Sequence, residues 1–322
     1  MAILVTGGAG YIGSHVAKAL CDDGKEVVIV DKFSPEKSSS VLEFGRFYKG
    51  DFGDALLLRR IFSENKIEGV MHFAAFIRVD ESIEKPLMYY ENNVAKTIVL
   101  LREMLEHGVD KFVFSSTCAV YGNPKYLPLD EKHPLNPESV YGRTKLMVER
   151  VLGDLSNAGK IRFVSLRYFN AAGADWKSGL GYYKKLHLIP KIFDVALGKE
   201  KELKIFGTDY NTRDGTGIRD YIHILDLADA HVLALEYLEE GKESDVFNLG
   251  SGKGYTVKEV IKAVEEVIGK KIPFVEVGRR PGDAEALYAD NSKAKEKLGW
   301  IPKRGMKEII ESAWEWHRKY FA

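Results

Sequence analysis

Cysteine is nearly absent from the chain. Only Cys21 and Cys118 occur in 322 residues, far apart and without metal-ligand spacing. A disulfide framework is thereby excluded, and a reduced, cytoplasmic setting is expected. Histidine offers no metal site either, since none of the eight forms a pattern such as H-x-x-x-H. Charge of one sign is not in excess: Lys plus Arg and Asp plus Glu both total 47, for a formal net charge of zero. That argues against nucleic acid as the main partner, because phosphate recognition rests on a basic excess or stripe. No apolar run approaches membrane-spanning length, and a first strand expected from Ala2 leaves no room for a signal peptide.

What is present begins at once. "AILV" is a short continuous apolar run, the mark of a strand buried on both faces, and it leads into "TGGAGYIGSHVAKALCDDG". Gly7, Gly10 and Gly13 give G-x-x-G-x-x-G, His15 to Leu20 has helical character, and "EVVIVD" is a second buried strand ending on Asp31. In such a βαβ unit the first glycine permits a tight turn, the second lets the backbone approach a pyrophosphate, and the third allows close helix packing. Asp31 is placed to accept hydrogen bonds from ribose hydroxyls. It would repel a 2′-phosphate, so NAD is expected rather than NADP.

The alternation continues through "GVMHFAAF", the helical pattern "MYYENNVAKTIVLLREMLEHG", "KFVFSSTCAVYG" and "IRFVSLRYFNAAG". The fold class expected is α/β: a Rossmann-type, doubly wound parallel sheet with a smaller mixed α/β substrate-binding domain. The boundary is placed after residue 172, with 1–172 binding the cofactor, 173–322 binding substrate, and roughly 215–250 returning to the first domain. Ligands in such sheets lie beyond the C-terminal strand ends, so "FAAF", "SSTC" and "RYFN" should line one cleft.

"SVYGRTKLMVER" sets Tyr141 four residues ahead of Lys145, on one helical face. A phenol ionises near pH 10, and a neighbouring ammonium and a positive nicotinamide would both bring it into range as a general base. Thr117, ending the "FSST" strand, is suited to hold a substrate hydroxyl. Together these three residues would serve hydride transfer to and from an alcohol. Cys118 has no partner histidine and is expected to be a small buried residue.

"TGGAGYIG", "SSTCAVYG" and "YGRTK" resemble the extended short-chain dehydrogenase/reductases that act on nucleotide sugars. "KPLMYYENNV", "RYFNAAGAD", "HLIP", "DGTGIRDYIHILDLADAH", "FNLGSGKGYTV" and "RRPGDAEALYAD" narrow the resemblance to the UDP-glucose 4-epimerase family, from the first strand to about residue 300. The resemblance implies an NAD-dependent isomerase that inverts C4 of UDP-hexoses through a 4-keto sugar, with NAD regenerated in each cycle and tightly held. It implies cofactor contacts at Tyr11, Ile12, Asp31, Asp51, Phe52, the Phe73 to Ile77 turn with Ala74 and Ala75, Asn92, Thr117, Tyr141, Lys145 and Phe169. It implies nucleotide-sugar contacts at Thr117, Tyr141, Asn170, His187, Leu188, Lys204 to Phe206, Arg219, and Arg280 to Asp283. Three positions depart from the family pattern: Ile77 stands where some members have lysine, His187 where asparagine is familiar, and Leu287 where some have a tyrosine that limits room at the sugar C2. Leu287 therefore suggests that UDP-GlcNAc and UDP-GalNAc are also accepted. A homodimer through the helix after "YYENN" and the Tyr141 helix is a further implication. A nucleotide-sugar dehydratase or decarboxylase is disfavoured, because Cys118 and Ala119 stand where a dehydratase carries acids. A silent NAD-sensing protein would require a broken catalytic set, and all three residues are present.

Overall fold

The computed structural model describes residues 2–32, 39–183, 187–280 and 283–321. The first part of the chain runs β1 (Ala2–Thr6), α1 (Tyr11–Asp22), β2 (Glu26–Asp31), β3 (Arg46–Lys49), α2 (Ala55–Glu64), β4 (Ile67–His72), α3 (Val79–Glu84), α4 (Pro86–Tyr90), α5 (Lys96–Glu106), β5 (Lys111–Thr117), α6 (Val140–Asn157) and β6 (Arg162–Tyr168). It continues as β7 (Asn170–Ala172), α7 (Leu188–Ala196), β8 (Leu203–Phe206), β9 (Ile218–His223), α8 (Ile224–Glu239), β10 (Asp245–Leu249) and β11 (Gly254–Thr256). Last come α9 (Val257–Ile268), β12 (Phe274–Val277), β13 (Ala286–Leu287), α10 (Ser292–Leu298) and α11 (Met306–Phe321).

Seven strands form one all-parallel sheet in the order β10-β6-β5-β4-β1-β2-β3. Every residue of β1 is buried, as a strand covered on both faces must be. Val16, Ala17 and Leu20 of α1 with Leu227 and Leu235 of α8 cover one face. Leu58 of α2, Leu100 and Met104 of α5, and Val148 and Leu152 of α6 cover the other. Strand order reverses between β1 and β4, which opens a crevice at their C-terminal ends.

The remaining strands make smaller sheets. In one, β9 pairs with antiparallel β11 and with parallel β7 and β13; in the other, β8 pairs with β12. Ile192 and Phe193 of α7, Val260 and Val264 of α9, and Ile309 and Ile310 of α11 fill their core. Asp220 ties this part together: its carboxylate accepts from Ser251 N (2.8 Å), Ser251 Oγ (2.6 Å), Gly252 N (3.1 Å) and Ala289 N (3.1 Å).

Three local departures from the expected pattern bear on the site. The first helix starts at Tyr11, not near His15, because Gly10 already has extended N-cap geometry and Gly13 lies inside the first turn. The helical run after Pro86 is broken by a π-turn at Glu91–Ala95, which rotates the two asparagines Asn92 and Asn93 into the interior. The "RYFNAAG" run is two strands: β6 ends at Tyr168, Phe169 N–H donates to Leu249 O (3.2 Å), and β7 joins the β9 sheet.

Candidate active site

The glycine turn is closed on three sides. Gly7 has φ +72°, and a Cβ there would stand 2.7 Å from Ala74 N. A Cβ on Gly13 would stand 2.3 Å from Gly7 O, so α1 abuts the turn directly. Tyr11 and Ile12 open α1 with no acidic side chain in its first turn, leaving an electropositive helix end. Asp31, at the end of β2, accepts from Ala9 N (3.1 Å) and so sits across the turn from the helix. This cradle, which a Cβ would fill, fits the pyrophosphate and ribose of a dinucleotide.

Beyond the turn, Asp51 accepts from Gly53 N (2.9 Å) and pairs with Lys32 (2.8 Å) and Lys96. Burial works against its charge, yet the two lysines hold its carboxyl below the usual range. Phe52 lies buried against the His72 ring at 5.0 Å. Phe73, Ala74 and Ala75 are half-buried after β4, whereas Ile77 is exposed. Asn93 fixes this segment: its Oδ1 accepts from Phe76 N (2.9 Å) and its Nδ2 donates to Phe76 O (3.0 Å) and Thr144 Oγ1 (3.2 Å). Asn92 Nδ2 donates to Asn93 Oδ1 (3.0 Å).

The catalytic candidates meet at the end of β5. Ser139 caps α6 by accepting from Gly142 N (3.0 Å), and Gly142 lets the helix approach Ala119, whose carbonyl a Cβ would meet at 2.7 Å. Tyr141 N–H donates to Ser82 Oγ of α3 (3.2 Å), and its phenol lies beside Thr117, whose hydroxyl favours the ionised phenol. Thr117 Oγ1 also accepts from Ala119 N (3.2 Å). The expected meeting of phenol and ammonium takes a different form. Lys145, 2 % exposed, donates from Nζ to Ser115 O (2.7 Å) and lies over the Phe114 ring at 4.8 Å. The lysine is drawn to β5 because a buried ammonium needs an acceptor and the strand carbonyl supplies one. Burial pushes the Tyr141 phenol up to about 12, with Thr117's hydroxyl pulling the other way. Burial also pulls the Lys145 ammonium down to about 7, with Glu149 opposing it.

The substrate candidates form a wall opposite. In register, Leu287 of β13 lies beside Arg219 of β9, and Asn170 of β7 beside Tyr221. Leu287 and Cys118 pack on the cluster of Val120, Tyr121, Leu146 and Phe169, which brings the sugar-side strand against the Thr117 turn. Burial drives the Cys118 thiol up to about 12. Arg219 Nη2 stands 3.7 Å from Asp283. In β8, Leu203 and Ile205 are buried, so Lys204 and Phe206 share the outward face, with the Arg280 guanidinium 3.6 Å above the Phe206 ring. Pro281 and Gly282, within the Arg280 to Asp283 stretch, lie outside the described residues. Leu188 opens α7, and His187 before it stands in a different grouping, a ring chain in which Tyr182 lies 4.8 Å from His187 and 5.1 Å from Tyr11.

Sequence reasoning missed Asn93, Ser82, Ser115 and Glu149. Ser115 lies in the quoted "SSTC" run and Glu149 repeats the four-residue step of Tyr141 and Lys145, so both carried a faint signal. Asn93 and Ser82 carried none, because a π-turn and a helix-to-helix contact leave no local pattern.

Residues 3–250 match the NAD dependent epimerase/dehydratase family. The chain is 49 % identical to a UDP-glucose 4-epimerase of Rhizobium leguminosarum bv. trifolii, over 98 % of this chain and 97 % of that one. It superposes on a UDP-glucose 4-epimerase of Stenotrophomonas maltophila, solved with bound NAD and formylated UDP-arabinopyranose, with TM-score 0.96 and 40 % identity over 99 % and 98 % of the two chains. A UDP-Glc/GlcNAc 4-epimerase of Campylobacter jejuni superposes with TM-score 0.85 and 42 % identity over 99 % of both chains. The chain therefore belongs to the NAD dependent epimerase/dehydratase family and, within it, to the UDP-glucose 4-epimerases.

Proposed function

We propose that the chain interconverts UDP-galactose and UDP-glucose by inverting C4 through a 4-keto sugar. The observation that carries this reading is the convergence of Thr117, Tyr141 and Lys145 at the end of β5, on the same sheet as a glycine cradle shaped for a dinucleotide. NAD bound there by the glycine turn, Asp31 and the Phe73 to Ile77 segment supplies the hydride acceptor and donor and, when oxidised, a positive ring charge. Thr117 orients the 4-hydroxyl toward Tyr141. Tyr141 takes its proton as C4 is oxidised and returns one to the opposite configuration as C4 is reduced. Lys145, one helical turn on and seated on Ser115 O, supplies the positive charge that lowers the cost of the phenolate. Arg219 and Arg280 offer charge-assisted donors to the UDP diphosphate, and Phe206 is a flat surface on the same wall. In this reading residues 1–172, with 215–250 returning, carry the cofactor, and the rest carries the sugar nucleotide.

Leu287 leaves more room than tyrosine beside Arg219, and it favours acceptance of UDP-GlcNAc and UDP-GalNAc. Turnover of UDP-GlcNAc should then accompany turnover of UDP-glucose, and robust UDP-glucose activity with none on UDP-GlcNAc would sink this extension. Ile98 on α5 and Met147 on α6 are 40 % and 43 % exposed, apolar positions that support a homodimer through these helices.

The testing assay couples UDP-glucose formation to a dehydrogenase, with UDP-galactose as substrate and no added NAD. Wild-type protein should turn over, and Tyr141→Phe should lose activity by at least a hundredfold, the usual scale for removing a general base. Silence from wild-type protein that carries NAD would overturn the reading.

A further inference from the structure

Below the Tyr141 and Lys145 pair, a third residue continues the same helical face. Glu149 lies one turn beyond Lys145 and is only 7 % exposed. Its Oε1 accepts from Arg167 Nε (3.0 Å) and its Oε2 from Arg167 Nη2 (2.6 Å), a two-point grip from β6. Ser116 Oγ donates to the same carboxylate. Arg167 is 4 % exposed and donates through Nη1 to Tyr121 Oη (3.1 Å), which in turn donates to Asn248 Oδ1 (2.6 Å) at β10.

The consequence is a register lock on the end of β5. Ser115 O receives Lys145, Ser116 Oγ reaches Glu149, and Thr117 meets Tyr141. Two successive strand residues are thus tied to two turns of α6, and the third faces the turn that carries Tyr141. We propose that Glu149, gripped by Arg167 and Ser116, is a positioning residue that keeps Lys145 as an ammonium aligned with Tyr141; this rests on the epimerase reading above.

The charged and titratable groups around Lys145 support the assignment. His72 faces it from β4 and is held neutral, since burial pulls that imidazole well below its usual range and the lysine's charge adds to the effect. Both His72 nitrogens are engaged, by Thr6 Oγ1 (2.6 Å) and Thr97 Oγ1 (3.0 Å). From β5 come only the Ser115 carbonyl and the Phe114 ring. From β6 come Tyr168, whose hydroxyl is bonded to Ser115 Oγ and driven upward by burial, and Arg167, a cation. Among the described residues, Glu149 is the anion that acts on the lysine, one turn from it on α6, whereas the cation that grips it stands on β6. Without its carboxylate, Arg167 would be left a buried cation without its anion, and Lys145 would lose the opposite charge that acts on it.

The test compares wild type, Glu149→Gln and the double variant Glu149→Gln with Arg167→Met. Two readouts are taken: the pH profile of kcat, and the Lys145 amine titrated by ¹⁵N NMR of lysine-labelled protein, assigned through Lys145→Arg. In Glu149→Gln the titration and the alkaline limb should both move down by about one pH unit, so that kcat on that limb falls roughly tenfold. The double variant removes both charges and should recover part of the shift. Should the single variant fail to fold, the double variant carries the test, and its Lys145 should still titrate below wild type. A lysine titration unchanged in the folded variants, with only lower amplitude or Tm, would overturn the proposal and leave Glu149 a structural residue. The NMR titration needs no turnover, so it is read even if wild-type protein proves not to be an epimerase.

Discussion

Asp220→Asn is the perturbation whose size is best set by the structure. The side chain is fully buried and receives four hydrogen bonds, two on each oxygen, from Ser251 N and Oγ and from Gly252 N and Ala289 N. An amide keeps one oxygen and turns an NH₂ group toward the donors on the other side. Ser251 Oγ can rotate and accept, but Ser251 N cannot, so at least one buried N–H is left facing a donor. That orphan costs about 1–3 kcal/mol, and loss of charge assistance in the surviving bonds adds about 1 kcal/mol. A total of about 3 kcal/mol corresponds to a Tm lower by roughly 4–5 °C, from the per-residue unfolding entropy scaled to this chain length. The same bonds hold the residues after β13, so Leu287 loosens against Arg219 and KM for the UDP-sugar should rise while NAD content stays unchanged. Differential scanning calorimetry and steady-state kinetics check both parts. A Tm within 1 °C of wild type, or loss of NAD with unchanged KM, would refute the argument that this carboxylate knots β9 to the sugar side.

Gly13→Ala should purify without NAD, read from the 260 to 280 nm absorbance ratio, while keeping its helical circular dichroism, because the new Cβ would stand 2.3 Å from Gly7 O. Leu287→Tyr should suppress turnover of UDP-GlcNAc by at least tenfold relative to UDP-glucose; equal losses on both substrates would argue against a C2-facing position. Stability should decline as pH falls from about 6.5 toward 4, because burial holds His15 and His231 neutral down to about 4 and His223 down to about 3. Their folded values lie below the unfolded one, so the unfolded chain binds more protons in this window and each histidine removes up to about 1.4 kcal/mol per pH unit; urea midpoints that stay flat from pH 7 to pH 5 would contradict this.

The parts of the molecule legible in the sequence are those whose physics is local. β1, the glycine turn and α1 follow from contiguous residues, since double-sided burial, a left-handed glycine and a close helix approach each demand a particular residue type at a fixed place. Tyr141 and Lys145 were legible for the same reason, as two positions on one helical face. What the pair does with its charges was not, because it depends on strands far away in the chain. Ser115 O captures the lysine from thirty residues upstream, and Arg167 grips Glu149 from eighteen residues downstream. Helical spacing alone would have placed the ammonium against the phenol; β5 moves it onto a carbonyl, and Thr117 at the strand's end is the side chain that favours the ionised phenol. The break at Phe169 was hidden likewise, since "RYFNAAG" is apolar enough to read as one strand and only pairing with β9 shows that it changes sheets. Residue types along the chain thus announce which chemistry is carried, while the partners that tune its protons are set by sheet order, where strands distant in sequence become neighbours.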